Sequence, residues 1–277
     1  MVIMGNVWDR ATEFLSDNLS AVVPIALFAI FLPMSLQANL APLMTASPVA
    51  TLGLALIVGI VVRWGQVAIT ALAIDPAAGR SAAIGIASKR LLPLIGVIAL
   101  MFVAAMLLVA PIGVAMGLSG YDFTAAMAGS QQEMPPAIAG FVAIYGLVTV
   151  LVLIWVAARL ALVYPIIVWE RRGLGVFRRS FVLTRGITWK IIGVMVLFGI
   201  VAIVAVLAAK FVFGSLLNLV AGGEGDISVA TVLTSILVGA VETAFTALLA
   251  AFSAKLYLAV RDRRESIVES DMNRGTR

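Results

Sequence analysis

Long apolar runs separated by short polar stretches dominate the chain. A helix that crosses a bilayer needs about 20 mostly apolar residues, and six runs approach or exceed that length. We expect membrane spans at residues 21–36, 49–74, 91–117, 137–168, 191–213 and 229–260. The pattern therefore predicts an all-α integral membrane protein whose single domain, residues 1–260, contains six transmembrane helices.

Shorter segments flank the predicted spans. Before the first span, apolar residues recur at helical spacing at Val7, Trp8, Ala11, Phe14 and Leu15. This spacing predicts a short amphipathic helix that lies in the membrane interface. After the last span, residues 261–277 are polar, mixed in charge and without apolar periodicity. We expect a polar cytoplasmic tail that is mostly disordered.

Two segments of the chain share one pattern. Residues 84–91 (Ile-Gly-Ile-Ala-Ser-Lys-Arg-Leu) and 174–181 (Leu-Gly-Val-Phe-Arg-Arg-Ser-Phe) both have apolar residues at positions one, four and eight, and glycine at position two. Cations occupy the sixth and a neighbouring position, so each helix would carry an apolar stripe beside a basic flank. One interpretation is a parallel internal repeat of span, interfacial helix and span. The alternative is a coincidence of common membrane patterns.

Composition excludes several classes of protein. Hydrophobic residues make up 62% of the chain and charged residues 12%, and the mean hydropathy of +1.13 is too high for a soluble domain. The chain contains no His and no Cys, which removes the commonest ligands for zinc, haem and iron–sulfur clusters. We expect no cofactor, no metal and no catalytic residues. Nucleic-acid binding is not expected either, because topology accounts for the net charge of +5.

The distribution of Lys and Arg predicts the orientation. One set of loops and ends contains almost all cations, whereas the opposite loops contain none and carry Asp122, Glu133, Glu224 and Asp226. Because cytoplasmic loops are enriched in Lys and Arg, we expect both termini in the cytoplasm. The localisation predicted is a bacterial inner membrane.

Among the charged residues within the predicted spans, three are candidates for a site: Arg63, Arg159 and Glu242. A charge near the centre of a spanning helix costs at least about 2.5 kcal/mol, so something must compensate it. One hypothesis is a polar cavity that binds an anionic headgroup or substrate. The other is a structural ion pair with Glu242, for which Arg63 is closer in predicted depth than Arg159.

Basic residues of the cytoplasmic loops form a second group of candidates. Each Lys or Arg near the surface contributes about 1 kcal/mol to binding of anionic lipid. The candidate headgroup-binding residues are Lys89, Arg90, Arg171, Arg172, Arg178, Arg179 and Arg185. The alternative is that these cations only determine topology.

One stretch resembles a known family. Its residues follow the order Arg, Pro, acid, Gly and then Ser-x-x-Leu-Thr-x-Gly-x-x-Trp, at Arg159, Pro165, Glu170, Gly173, Ser180, Leu183, Thr184, Gly186 and Trp189. This order resembles the central signature of the glycerophosphoryl diester phosphodiesterase membrane-domain family. The resemblance implies a six-span bacterial membrane protein and no established catalytic residues. Some members carry a fused phosphodiesterase domain, which we do not expect in this chain.

These observations leave three functions open. The first is a non-enzymatic inner-membrane protein that binds or handles lipid or envelope components as an accessory or assembly factor. The second is a transporter or flippase for an anionic amphiphile, and the third is a membrane-embedded lipid enzyme. Expected partners are membrane lipids, anionic ones in particular, together with a membrane-protein partner or a second copy of the chain.

Overall fold

The computed structural model describes residues 3–44, 47–122, 125, 134–171, 173–221 and 229–275, with the backbone alone at 218–221 and 264–275. All regular elements in these ranges are helical, which confirms the predicted all-α fold. The α-helices are α1 (Met4–Asp17), α2 (Leu19–Ala26), α3 (Leu32–Leu40), α4 (Pro48–Ile74), α5 (Gly79–Leu118), α6 (Pro136–Arg159), α7 (Val163–Trp169), α8 (Val176–Thr184), α9 (Thr188–Ala208), α10 (Gly214–Ala221) and α11 (Val229–Gly275).

Six segments of the described chain are long and apolar enough to cross a membrane, which fits a multi-pass membrane protein. In order, these spans are Leu19–Met44, Pro48–Ile74, Pro76–Leu118, Pro136–Trp169, Thr188–Leu217 and Val229–Arg263. Only 6% of the most apolar window is buried in the fourth and fifth spans. Their large side chains therefore face outward, as they do where lipid surrounds a bundle.

The short amphipathic segments predicted from the sequence do not all form separate helices. The α1 helix forms as predicted, and its Trp8 ring packs 6.0 Å from those of both Phe198 and Phe252. The segment 174–181 contributes to the separate helix α8, but segment 84–91 does not form a helix of its own. It continues into the third span as part of α5, because elongating an existing helix needs no new nucleation. The prediction of a separate interfacial helix is therefore wrong for segment 84–91, and the internal repeat stays a prediction.

The sixth span also differs from our expectation. Its helix α11 continues to Gly275, so the prediction that residues after 260 are mostly disordered is wrong for their backbone. The segment contains no proline, and Arg, Glu and Met are good helix formers. A span that tertiary contacts already hold can extend through such residues at little cost.

The buried core is concentrated towards one end of the bundle. It consists mainly of side chains from 67–74, 160–168, 176–191 and 247–260, together with one face of α1. Lys255 connects three elements there, since its Nζ donates to the Ala73 carbonyl at 2.8 Å and lies 4.9 Å from the ring centroid of Phe14. This well-packed end is the one from which the long carboxyl-terminal helix emerges.

The first and second spans approach each other closely at one point. A π-helical turn at Leu27–Phe31 widens the first span just before Pro33, which cannot donate a backbone hydrogen bond. Gly65 packs against this turn, where a Cβ would lie 2.8 Å from Ala29 Cβ. The small residue permits the close contact, as is common between membrane helices.

Candidate functional site

Three polar side chains meet between the second and fourth spans. Arg63 Nη1 donates to Gln66 Oε1 at 2.8 Å, and Tyr164 Oη donates to the same oxygen at 3.0 Å. Arg63 and Gln66 lie three residues apart and share one face of α4. The amide oxygen therefore satisfies one donor from each neighbour, and the guanidinium group of Arg63 also lies within hydrogen-bond reach of the Tyr164 hydroxyl.

A break in the fourth span presents Tyr164 to this cluster. The helix α6 ends at Arg159, the chain turns over residues 160–162, and α7 begins at Val163. Hydroxyl groups stabilise the broken end, because Ser180 Oγ donates to the Arg159 carbonyl at 2.6 Å and Thr184 Oγ1 approaches it at 3.4 Å. Such partners are required where a helix is interrupted within a membrane.

The cluster lines a cavity of about 200 Å³ between the second, fourth, fifth and sixth spans. Apart from Arg63, Gln66, Thr70, Tyr164 and Ser253, the wall is aliphatic or aromatic and includes residues of α9 and α11. Pockets that enclose drug-sized ligands usually measure roughly 300–1,000 Å³. This cavity is smaller, so it has room for one polar group rather than for a whole lipid.

Arg63 is placed deep within the second span. It lies eleven residues before the end of α4 at Ile74, which corresponds to about 16 Å along a helix. That is near the middle of a hydrocarbon layer about 30 Å thick. Within the described part of the chain Arg63 has no ion-pair partner, and its polar contacts there are with Gln66 and Tyr164.

The predicted ion pair between Arg63 and Glu242 is not formed. Glu242 lines a different cavity, together with Lys210. The residues of α11 that face Arg63 begin at Leu249, seven residues further along the helix and thus about 10 Å away. Counting residues from the predicted span ends placed Glu242 at nearly the same depth as Arg63. That count was wrong because the sequence alone determines neither the end of α11 nor the register of α11 against α4.

Arg159 is a structural residue in this arrangement. Its Nη1 donates to the Phe181 carbonyl at 3.0 Å, and its guanidinium carbon lies 5.3 Å from the ring centroids of both Trp155 and Phe181. These cation–π contacts compensate part of the charge. Arg159 therefore joins α6 to α8, and it neither pairs with Glu242 nor lines the cavity of Arg63.

The other signature residues also form a structural corner. Glu170 Oε1 accepts from Arg179 Nε at 2.8 Å and from Tyr257 Oη at 3.1 Å, which ties α8 and α11 together. Gly186 has a φ of 86°, a conformation that favours glycine, and it lets the chain turn from α8 into the fifth span. Pro165, Ser180, Leu183 and Thr184 are buried, whereas Gly173 and Trp189 are exposed.

The basic residues proposed to bind headgroups fall into separate environments. Lys89, Arg171, Arg178 and Arg185 are exposed, and Arg90 is half-buried. Arg179 differs from the others because its Nε is paired with Glu170. Arg172 lies outside the described residues. Lipid binding by the exposed cations stays a prediction.

Sequence reasoning did not connect two partners of Arg63. These partners are Gln66 on the same span and Tyr164 on the fourth span. The spacing of three residues between Arg63 and Gln66 was a signal for their contact, but the position of Tyr164 depends on the turn after Arg159. In the described ranges no cluster of acidic side chains could hold a metal ion.

Comparison of the chain with family models, curated proteins and solved structures finds no match.

Proposed function

We propose that this protein binds the anionic headgroup of a membrane lipid and acts as an accessory factor of a bacterial inner membrane rather than as an enzyme. The observation that carries the proposal is Arg63, a charge near mid-membrane that faces a cavity and has no acidic partner among the described residues. A bound phosphate would supply the missing charge through charge-assisted hydrogen bonds.

The surroundings of Arg63 support an amphiphile rather than a soluble anion. A second, largely apolar cavity of about 560 Å³ lies between α5 and α6, with Phe177 of α8 at its wall. Leu160 lines this cavity as well as the one beside Arg63. A phosphate at Arg63 would thus lie next to a surface suited to an acyl chain.

The orientation belongs to the same proposal. With the termini in the cytoplasm, the well-packed end of the bundle is the cytoplasmic one, and the exposed cations Lys89, Arg171, Arg178 and Arg185 lie near its lipid headgroups. The signature-like corner then holds the cytoplasmic ends of three spans together. The family resemblance supports this architecture and adds no activity.

The test is lipid retention by the purified protein. Wild-type protein in nanodiscs that contain phosphatidylglycerol and phosphatidylcholine should retain phosphatidylglycerol through mild detergent extraction, as measured by native mass spectrometry. The Arg63→Gln variant should retain at least about tenfold less, since a charged hydrogen bond is worth about 1.5–3 kcal/mol.

The matched control is Arg80→Gln, which removes a cation that is exposed at the start of α5. Thermal unfolding of each variant checks that the fold is intact. Equal retention by folded wild-type and Arg63→Gln protein would exclude this cavity as the lipid site. If retention of phosphatidylglycerol falls only in a variant that replaces Lys89, Arg90 and Arg178, the lipid binds at the loops instead.

A further inference from the structure

A third and more polar cavity lies between the first, fifth and sixth spans, at the end of the bundle opposite the one from which the carboxyl-terminal helix emerges. Its volume is about 540 Å³, within the range of roughly 300–1,000 Å³ that is usual for small-molecule sites. It is lined by Met34, Ser35, Ala38, Lys210, Phe211, Gly214, Ser215, Thr231, Thr234, Ser235, Val238, Gly239 and Glu242. It shares no lining residue with the cavity of Arg63.

Two opposite charges face this cavity without pairing. Lys210 and Glu242 form no ion pair with each other or with any other described residue. Either charge alone would be expensive at this position in a membrane protein. A molecule that carries both an acidic group and an ammonium group would compensate them together.

The two charges lie at different depths. A Cβ on Gly214 would lie 3.3 Å from Thr234 Cγ2, and Lys210 is one helical turn from Gly214. Towards the packed end, Glu242 lies eight residues beyond Thr234, about 12 Å, whereas Lys210 lies four residues before Gly214, about 6 Å. The acid therefore lies deeper in the cavity than the cation, so a ligand would enter with its ammonium group first.

Three hydroxyl groups of the wall, those of Ser215, Thr234 and Ser235, offer acceptors rather than donors. Ser215 donates its proton to the Phe211 carbonyl at 2.6 Å, and Thr234 donates to the Ala230 carbonyl at 2.7 Å. Ser235 donates within its own helix to the Val232 carbonyl at 2.8 Å and accepts from Asn39 Nδ2 at 3.0 Å, which leaves one lone pair. Only lone pairs of these oxygens are left for a ligand. The wall therefore suits a primary ammonium group, whose three N–H bonds need acceptors.

Two local features of the wall point to a binding site. Ser35 Oγ is buried and has no hydrogen-bond partner, although buried polar groups are normally paired. A π-helical turn at Ala209–Phe213 contains Lys210, and the turn at Leu27–Phe31 ends one helical turn before Ser35. Such turns occur frequently at functional sites.

We infer that this cavity binds a small zwitterion with a primary ammonium group and an acidic group. The ammonium group binds Glu242 and the hydroxyl lone pairs, and the acidic group binds Lys210. The probe we choose is O-phosphoethanolamine, either free or as the headgroup of phosphatidylethanolamine. The inference does not depend on lipid binding at Arg63.

The experiment measures binding of soluble O-phosphoethanolamine to the full chain in phosphatidylcholine nanodiscs by isothermal titration calorimetry. Phosphocholine is the matched ligand control, because its three methyl groups replace the N–H donors. Wild-type protein should bind O-phosphoethanolamine at least about tenfold more tightly, the size expected when one well-made polar contact is lost. Equal binding of the two ligands, or no binding of either, would exclude the free zwitterion as the ligand. If phosphatidylethanolamine is not retained either, the inference is overturned.

The lipid experiment uses nanodiscs that contain phosphatidylethanolamine and phosphatidylcholine without soluble ligand, and retained lipid is measured by native mass spectrometry. Selective retention over phosphatidylcholine, lost in Glu242→Gln, supports the same chemistry from a lipid source. Lys210→Gln and Glu242→Gln should each weaken binding at least about tenfold, whereas Arg80→Gln, at an exposed cation that lines neither cavity, should leave it unchanged. If folded Glu242→Gln protein binds as wild type does, the cavity is not the site, whichever source supplies the ligand.

Discussion

The pairing of Glu170 with Arg179 can be tested by comparing two adjacent arginines of α8. Arg179 Nε lies 2.8 Å from Glu170 Oε1, and the two side chains are 31% and 12% exposed. Arg178 is exposed and makes no hydrogen bond or ion pair with a described residue. Replacement of each by Gln removes one positive charge from the same helix. Only the Arg179 variant removes the contact that ties α8 to the corner.

The expected magnitude follows from the environment of the pair. An ion pair at a surface contributes about 0.2–1 kcal/mol, and a hydrogen bond to a charged group contributes about 1.5–3 kcal/mol. Glu170 is mostly buried, but almost a third of the Arg179 side chain is accessible to solvent. Arg179→Gln should therefore lower the free energy of unfolding by about 1.5–2 kcal/mol, near the lower end of the second range. Arg178→Gln should change it by less than about 0.5 kcal/mol.

The assay is reversible unfolding of the protein in mixed micelles by added sodium dodecyl sulfate, followed by tryptophan fluorescence. A double-mutant cycle with Glu170→Gln isolates the pair from other contacts of the carboxylate, and the coupling should reach at least about 1 kcal/mol. If the Arg178 and Arg179 variants unfold with free energies within about 0.5 kcal/mol of each other, or the cycle is additive, the contact does not stabilise the corner.

Two further predictions concern packing and topology. Gly65→Ala should destabilise the protein by about 1–3 kcal/mol, since the new Cβ would lie 2.8 Å from Ala29 Cβ. Gly59→Ala on the same helix has no atom within 4 Å and should be neutral or stabilising, so a loss of similar size in both variants would contradict the close approach. A single cysteine at Asp122 should react with an impermeant thiol reagent added to intact cells, whereas one at Ser81 should not. The reverse pattern would invert the proposed orientation.

The number of spans was predictable because it depends on runs of apolar residues. Each run must satisfy its own backbone hydrogen bonds in lipid, and a helix is the only open-chain solution. The ends of the helices were harder to predict. Segment 84–91 became part of a long helix, whereas segment 174–181 lies beside two sharp changes of direction, at Arg171 and Gly186. Their apolar patterns are the same, so only flanking residues distinguish them.

The candidate site could be predicted in part. Arg63 and Glu242 stood out from the sequence because charges in a membrane are expensive, and the structure places each of them at a cavity. Their partners could not be predicted, because a helix places residues at the same depth only when the register of its neighbour is known. Tyr164 reaches Gln66 after a break in the fourth span, and Lys210 reaches the cavity of Glu242 from a π-helical turn. Neither irregularity follows from apolar periodicity.

The positions of the Arg63 cavity and the Glu242 cavity bear on the choice between binding and transport. Both are lined by the sixth span, one by residues up to Glu242 and the other from Leu249 onward. Between them Thr243 and Ala247 are only 8% and 6% exposed, so this stretch is packed against neighbouring helices. A transport path along the sixth span would have to open that contact, which requires a second arrangement of the bundle. The described arrangement therefore keeps the two cavities separate, as the proposal of two binding sites requires, whereas the transporter alternative requires a further conformation.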